Sequence, residues 1–196
     1  MFKSAIVNEV VRYLKPFLKE KLPKELYFHN YNHTKEVVRA TTEIGRNIGL
    51  TSSEMEIVLL AAWFHDTGYI TTYANHEDES KKIAVTLLTA NQYPKDKIEI
   101  VIGCIEATRY PQHPRNKLEE VLCDADFHHL STPEYDKLQR KLRKEREFNL
   151  LKVYTDLEWY ETNYVFLKSH RYFTAFGKDE LQKRKVRNIH LLKSRI

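Results

Sequence analysis

The most constraining feature of the sequence is an unbroken apolar run, Ile57–Phe64, that is followed directly by His65 and Asp66. Thr51 and Glu54 have the spacing of a capping box, so a helix is predicted to begin there and to continue through the run. A helix that is apolar on all sides has to be surrounded by other elements. The run is far shorter than the ~20 residues that a membrane-spanning helix needs. The sequence therefore predicts a central helix buried by its neighbours.

Turn-forming residues are scarce, since the 196 residues include only five glycines and six prolines. Few turns imply long segments, which favours helices over a sandwich of many short strands. Apolar residues recur at helical spacing along most of the chain, and alternation with period two never persists. We therefore expect an all-α fold, a helical bundle of about eight to ten helices. The predicted helices cover 4–21, 32–48, a helix from 51 through the HD pair that Gly68 ends, 76–91, 94–105, 117–130, a helix opened by residues 131–134, 154–170 and 178–196.

The length suits one domain. We expect a single domain over 1–196, with its core at 25–150 and the amphipathic N-terminal helix and the aromatic and basic C-terminal helices packed on it. Asn8, Glu9 and Arg12 interrupt the N-terminal segment, which disfavours a signal peptide. Cys104 and Cys123 lack CxxC spacing and are expected to be small core residues. We expect a cytoplasmic protein without a membrane partner. The sequence does not indicate an oligomeric state.

The charge of the chain is unevenly distributed. The formal net charge is +5 and the pI is near 9.0. This balance favours phosphate-bearing partners, although ordinary solubility explains it equally well. Positive residues concentrate in the stretch 178–196, and a second run, KLQRKLRKERE at 137–147, interleaves bases with acids at helical spacing. We interpret that second run as a solvated helix face. No GxxxxGK[ST] or GxGxxG phosphate loop is present.

Polar residues of the metal-ligating type stand within apolar helices. His65 and Asp66 follow the buried run, His33 lies on the preceding helix, and Asp126 lies in the stretch VLCDADFHHL. An unpaired carboxylate in such a setting is costly, and a metal ion removes that cost. Asp124 and Asp126 point to different faces of their helix, so that one can face the core while the other is solvated. Two imidazoles and two carboxylates suit Mn, Fe, Co, Ni or Zn, with Mg as a further option.

The order of these residues resembles the H…HD…D signature of the HD superfamily of metal-dependent phosphohydrolases over roughly residues 25–150. The resemblance implies an all-α HD-domain fold in which the two histidines and two aspartates hold a divalent metal; one or two ions are both compatible. The segment His29–His33 also resembles the YHNxxH motif of cyclic-nucleotide phosphodiesterases, with Phe28 at the position of the tyrosine. In those enzymes the histidine equivalent to His29 protonates the leaving oxygen, which makes it our general-acid candidate. An equally weighted alternative is that His29 orients a metal ligand.

A second group of polar residues follows the HD pair. His76 and Glu77 stand at a predicted helix start, where an anion or phosphate would be favoured. His76 is a candidate for a second metal, for phosphate contact or for acid–base catalysis, and Glu77 is either catalytic or a helix cap. Arg109, in the loop EATRYPQHPRN, is a candidate for holding a substrate phosphate, although most loop arginines are merely solvated. His128 and His129 are expected to pack or to orient the preceding aspartate.

Together these features favour an enzyme that uses metal-activated water to hydrolyse a phosphomonoester or phosphodiester of a nucleotide-like compound. The alternative is a non-catalytic module that binds metal and nucleotide, or that binds nucleic acid through the basic C-terminal helix. The complete ligand set favours the enzyme, and nucleic acid is the less favoured partner. The residues Thr67–Ile70 replace the acidic residues that follow HD in (p)ppGpp hydrolases, which disfavours that alarmone reaction.

Overall fold

The structure is a computed structural model that describes residues 4–196, so the first three residues of the predicted domain lie outside it. Nine α-helices and no strand occur within that range, which confirms the all-α expectation. The helices are α1 (Ala5–Lys21), α2 (Tyr31–Asn47), α3 (Ser52–Phe64), α4 (His76–Ala90), α5 (Lys95–Ala107), α6 (Lys117–Asp126), α7 (Tyr135–Leu150), α8 (Asp156–Ser169) and α9 (Gln182–Lys193). Short 3₁₀ helices at Thr67–Ile70 and Phe127–Ser131 follow α3 and α6, and a π-helix at Gly177–Leu181 precedes α9.

Helix α3 lies at the centre of the main core, as the apolar run predicts. Every residue from Ile57 to Phe64 is between 0% and 7% exposed. The capping box is present, because the Thr51 hydroxyl accepts from the Glu54 N–H and the Glu54 carboxylate accepts from the Thr51 N–H. Five helices pack around α3, namely α1, α2, α4, α5 and α6. Full burial of one large apolar side chain stabilises a fold by about 1.5–3 kcal/mol, so α3 anchors the residues that follow it.

The C-terminal helices form a smaller second cluster. Leu130, Tyr135, Leu167 and Leu192 pack together there and join α7, α8 and α9 to the 3₁₀ helix after α6. Both cysteines are buried with free thiols, as expected. No helix within residues 4–196 has both the length and the apolar character needed to cross a membrane.

Two predicted helices are shorter and less regular than expected. The helix predicted over 117–130 ends at Asp126 and tightens into a 3₁₀ helix, in which the Phe127 N–H donates to the carbonyls of Cys123 and Ala125. The helix predicted over 178–196 begins as a π-helix at Gly177 and becomes regular only from Gln182 to Lys193. The π-helix lies against α6, where the Gly177 backbone approaches the Asp124 carboxylate.

Asp124 attaches the C-terminal segment to α6. Its carboxylate accepts hydrogen bonds from the Phe173 N–H at 2.7 Å, the Thr174 N–H at 2.9 Å and the Thr174 hydroxyl at 2.6 Å. The expectation that one of Asp124 and Asp126 is solvated is wrong, because Asp124 is fully buried and Asp126 faces an interior cluster. Burial raises the pKa of Asp124 to about 6, although the three donors oppose that shift.

Candidate metal centre

Three helices bring four side chains of the metal-ligating type together near the end of α3. His33 lies in the first turn of α2, His65 and Asp66 directly follow α3, and Asp126 is the last residue of α6. His33 Nε2 is 3.4 Å from Asp66 Oδ2 and 3.2 Å from Asp126 Oδ1. His65 Nε2 is 3.2 Å from Asp66 Oδ2 and 3.8 Å from Asp126 Oδ1. The structure thus brings together the four residues that the sequence singles out as ligands.

Two buried atoms of this cluster are available to bind a cation. In the described part of the chain, His65 Nε2 and Asp66 Oδ2 are buried without a hydrogen-bond partner, a rare and costly state for polar atoms. The Ala62 carbonyl lies 2.9 Å from His65 Nδ1 and can only accept, so Nδ1 carries the proton of the neutral ring. When the ring gives up its Nε2 proton to bind a cation, the lone pair that remains on Nε2 points into the cluster. Imidazole nitrogen and carboxylate oxygen are both suitable ligands for divalent transition metals.

The charges of the cluster stabilise one another against burial. Burial lowers the pKa of His65, but the nearby Asp66 carboxylate outweighs it and raises that pKa to about 9. Burial opposes ionisation of Asp66, yet the charge of His65 holds the pKa of Asp66 well below its ordinary value. Asp126 behaves likewise, because His33 and His65 lower its pKa against the effect of burial. Both carboxylates are ionised at neutral pH, which is the form that binds a cation.

His29 is held beside the cluster by a glutamate that the sequence interpretation missed. The Glu145 side chain on α7 is fully buried and accepts a hydrogen bond from His29 Nδ1. It also accepts from the Phe28 N–H at 2.7 Å and the His29 N–H at 3.0 Å. Burial lowers the pKa of His29, but the hydrogen bond and the charge of Glu145 raise it by more than burial lowers it. The net shift of this pKa is therefore upward. The interpretation of 137–147 as a solvated face is therefore wrong at Glu145.

A signal for Glu145 does exist in the sequence. Tyr135, Leu138 and Leu142 recur at spacings of three and four residues, and Glu145 continues that series. Such spacing places all four side chains on one helix face. The many charges in the run conceal this stripe. Glu145 has the same side chain as the glutamate nearby, and only its position in the series of apolar residues sets it apart.

Tyr69 connects the two histidines that the sequence proposes for catalysis. The His29 ring stacks on Tyr69 with a centroid distance of 4.8 Å, and the His76 ring stacks on the same tyrosine at 3.7 Å. His76 Nε2 lies 3.3 Å from Asp66 Oδ1, so this histidine contacts the ligand cluster. Tyr69 is 8% exposed and carried no motif that would mark it in the sequence.

Gly68 permits the close approach that brings His76 to Asp66. A Cβ atom at this position would lie 1.9 Å from the carbonyl oxygen of His76, a distance that no packing adjustment of side chains can relieve. The Gly68 N–H donates to the Ser80 hydroxyl at 2.8 Å, which fixes the same junction from inside α4. Only a residue without a side chain allows α4 to begin directly against the Thr67–Ile70 turn.

Arg109 is surrounded by acceptors at the edge of the site. Its guanidinium donates to Glu77 at 3.0 Å, to Asp78 at 2.8 Å, to Glu106 through Nε at 2.7 Å and Nη2 at 3.1 Å, and to the Asn75 side chain at 3.3 Å. These contacts engage all five N–H groups. A substrate phosphate would therefore have to displace a carboxylate to reach Arg109. Glu77 itself is 6% exposed and is held by this arginine.

The two histidines that follow Asp126 have different surroundings. His129 Nδ1 donates to the Asp126 carbonyl at 3.1 Å, and burial lowers the pKa of His129 to about 3, so its ring is neutral. This contact orients the backbone that carries Asp126, in line with the expectation. His128 lies elsewhere, with Nε2 3.9 Å from the Glu43 carboxylate.

The fold and the site define a helical domain with a buried histidine–aspartate centre suited to a divalent metal. The family model of the HD domain matches residues 30–131, which is more than half of the chain. The chain belongs to the HD domain family. Membership of this family supports a metal-dependent hydrolase.

Two solved structures resemble the fold over almost its whole length. One is described as a predicted HD superfamily hydrolase from an uncultured Thermotogales bacterium; it has a TM-score of 0.64 at 14% identity, covering 95% of this chain and 89% of that one. The other is a protein from Lactobacillus plantarum, with a TM-score of 0.70 at 15% identity, covering 99% of this chain and 96% of that one. Identities this low establish the shared fold alone. A comparison with curated proteins found no significant match.

Proposed function

We propose that the chain is a divalent-metal-dependent phosphohydrolase that cleaves a phosphomonoester or phosphodiester bond of a nucleotide-like compound. The observation that carries the proposal is the pair of buried, unpartnered atoms His65 Nε2 and Asp66 Oδ2, which face His33 and Asp126. HD-family membership supports a hydrolase. The phosphodiesterase-like segment at His29 supports a phosphate ester as the substrate, and the net charge of +5 favours an anionic one.

The ligands would be His33, His65, Asp66 and Asp126, with Mn, Fe, Co, Ni, Zn or Mg as the ion. A metal held there would lower the pKa of a water molecule and offset the charge on phosphoryl oxygens. His65 is pre-oriented for this role by Ala62, and the backbone of Asp126 is pre-oriented by His129. Ligands fixed in this way lose little freedom when a cation binds.

His29 would act as the general acid. Its Nδ1–H donates to the Glu145 carboxylate, which leaves Nε2 to carry the proton destined for the leaving oxygen. Glu145 raises the pKa of His29, so the doubly protonated ring persists toward neutral pH. Glu145 touches His29 rather than the reacting atoms and is therefore a positioning residue.

His76 and Glu77 would serve on the opposite side of Tyr69. The 3.3 Å contact of His76 Nε2 with Asp66 Oδ1 suits a histidine that meets the substrate phosphate or a second ion beside the first. Glu77 would hold His76, whose Nδ1 lies 3.8 Å from the Glu77 carboxylate. Arg109 would bind phosphate only in exchange for one of its carboxylate partners, and it otherwise holds Glu77 in place.

The proposal is tested by elemental analysis of the purified wild type, Asp66→Asn and a control, Asp179→Asn, which makes the same substitution at an exposed site. Samples are first incubated with Mn²⁺ or Mg²⁺ and then desalted. We expect near-stoichiometric metal in the wild type and in the control, and loss of metal in Asp66→Asn. Equal metal in all three proteins would place the ion elsewhere and overturn the ligand assignment.

The activity is tested with the same three proteins on p-nitrophenyl phosphate, bis-p-nitrophenyl phosphate and a panel of nucleotides and cyclic nucleotides. We expect hydrolysis by the wild type and the control that requires added metal and falls by at least about 100-fold in Asp66→Asn. Metal binding without hydrolysis of any of these esters would favour a non-catalytic module instead.

A further inference from the structure

A second cleft lies on the other side of the segment that carries His29. Residues 24–30 form one wall and α7 forms the other, and the cleft, which is open to solvent, has a volume of about 640 Å³. Five cationic side chains line it, and we call it the lysine cleft: Lys24, Lys137, Arg140, Lys141 and Lys144. None of these residues belongs to the metal centre.

The positive charge of the lysine cleft is largely uncompensated. Within residues 4–196, none of its four lysines has a carboxylate within 4 Å, whereas Lys81, Lys82 and Lys117 elsewhere are paired. The acidic residue in the lining, Asp136, is already bound by Arg140 and by Arg195. Like charges that converge without counterions attract an anion. The cleft therefore presents four ammonium groups without a carboxylate partner, of which that of Lys144 also lies over the Tyr27 ring.

The floor of the lysine cleft is apolar. Leu26 is 4% exposed there, and Lys144 Nζ sits 4.0 Å above the centre of the Tyr27 ring. A volume of 640 Å³ falls within the range of about 300–1,000 Å³ that is typical of small-molecule sites. An apolar floor beneath a cationic rim suits a ligand with an organic part and several phosphates.

The placement of the charges favours a small ligand over a nucleic-acid strand. A groove for a single strand tracks a backbone with successive cations along its length. Here Lys24 lines the wall opposite the α7 cations, so cations border the cleft on both sides rather than along a single track. On α9, the exposed residues Lys183 and Arg187 line neither this cleft nor the cleft formed by Glu161, Tyr164, Val165, Lys193 and Ile196.

We infer that the lysine cleft binds a polyphosphorylated small molecule of nucleotide size at a site separate from the metal centre. The cleft is close to that centre along the chain. Tyr27 in its floor is two residues from His29, and Lys144 in its rim precedes Glu145, so each pair of Cα atoms is separated by at most about 7.6 Å. The two walls of the cleft are the same two segments that bring His29 and Glu145 together. This inference concerns binding and does not require the proposed hydrolysis.

The test is isothermal titration of the Asp66→Asn protein with ATP in excess EDTA, which disables the metal centre and leaves the cleft intact. We expect one ATP per chain and weaker binding of inorganic tripolyphosphate, which lacks the organic part. The double variant Lys141→Glu/Lys144→Glu should weaken ATP binding at least about tenfold, the loss expected from one charge-assisted contact. The control Lys183→Glu/Arg187→Glu makes the same change in net charge on α9 and should leave the affinity within about twofold of the parent.

Several results would overturn the inference. These are the absence of ATP binding, an equal loss in both double variants, or equal affinities for ATP and tripolyphosphate. Tighter binding of a single-stranded oligonucleotide that depends on Lys141 and Lys144 would identify a nucleic-acid site instead. The circular dichroism spectrum and melting temperature of each variant are measured first. If the glutamate variant fails to fold, Lys141→Ala/Lys144→Ala replaces it, because removal of two cations must also weaken binding.

Discussion

Replacement of Glu145 by glutamine tests whether a glutamate inside a highly charged helix is a structural anchor of the site. In the wild type its carboxylate accepts four hydrogen bonds at a fully buried position, from the Phe28 N–H, the His29 N–H, His29 Nδ1 and, at 3.5 Å, the Tyr73 hydroxyl. A glutamine amide has one oxygen to accept from them, and its NH₂ group faces another donor. The charged His29 ring then loses the acceptor of its Nδ1–H, and the contact is kept only if the ring becomes neutral and Nδ1 accepts from the amide instead.

The expected cost follows from these contacts. A hydrogen bond to a buried charged group contributes about 1.5–3 kcal/mol, and an unpaired buried donor costs about 1–3 kcal/mol. We therefore expect Glu145→Gln to lower the free energy of unfolding by about 2–4 kcal/mol. For a chain of this length each kcal/mol shifts the melting temperature by about 2–4 °C, which gives a decrease of about 4–16 °C.

The assay is chemical and thermal unfolding of Glu145→Gln beside Glu147→Gln, a matched control two residues along α7. The Glu147 side chain is 28% exposed and is paired with Arg143, so its replacement should cost less than about 1 kcal/mol. If the two variants lose the same stability, or if Glu145→Gln loses less than about 1 kcal/mol, the buried pair is not the anchor that we infer.

The dependence of this difference on pH is a second readout. The pKa of Glu145 is lowered from 4.5 and that of His29 is raised from 6.5 in the folded protein. The contribution of Glu145 is complete above its unfolded pKa and disappears as the pH falls through the folded value. That of His29 is complete below its unfolded pKa and disappears as the pH rises through the folded value. The gap in stability between wild type and Glu145→Gln should thus be largest between about pH 4.5 and 6.5.

Further expectations concern catalysis and two packing contacts. In the active protein, Glu145→Gln should move the basic limb of the pH profile of kcat/KM to lower pH, because Glu145 raises the pKa of His29. An unchanged limb would show that Glu145 does not set the pKa of the general acid. Gly68→Ala should lower the free energy of unfolding by about 1–3 kcal/mol, because the added Cβ would clash with the His76 carbonyl. The same variant should have a lower metal-dependent activity. Unfolding curves and turnover that match those of the wild type would contradict this prediction. Asp124→Ala should lower the free energy of unfolding in urea by about 3–5 kcal/mol, because the Phe173 and Thr174 N–H groups lose their acceptor. The variant should still bind metal, and loss of metal binding would refute a purely structural role for Asp124.

The helices could be predicted from the sequence because their causes are local. The Thr51–Glu54 capping box and the apolar run after it define α3, and both are short-range patterns. The irregular ends of α6 and α9 depend instead on contacts between distant segments, such as Asp124 with Thr174, fifty residues away. A sequence does not display which distant backbone N–H will need an acceptor.

The four ligand-type residues could be predicted because polar groups inside apolar helices are conspicuous. Asp66 after Ile57–Phe64 is an example, since little other than a cation or a buried partner explains it. The residues around the ligands gave weaker signals. Glu145 is one acid among many in its run, and Tyr69 is one aromatic among many in the chain, so only the packing of α7 and of the Thr67–Ile70 turn reveals their contacts.

The division of the site between rigid and adjustable elements follows from the same packing. His65 and Asp66 are tied to α3, the most deeply buried helix, so a change that moves them disturbs the main core. Two of the contacts that position His29 and His76 lie outside α3, namely the pairing of Glu145 with His29 and the glycine junction at Gly68. Substitutions at those two points alter the position of a proposed catalytic histidine while α3 stays packed. We therefore expect the positions of the two proposed catalytic histidines to be more sensitive to substitutions in α7 and in the Thr67–Ile70 turn than to substitutions in the helix that carries the HD pair.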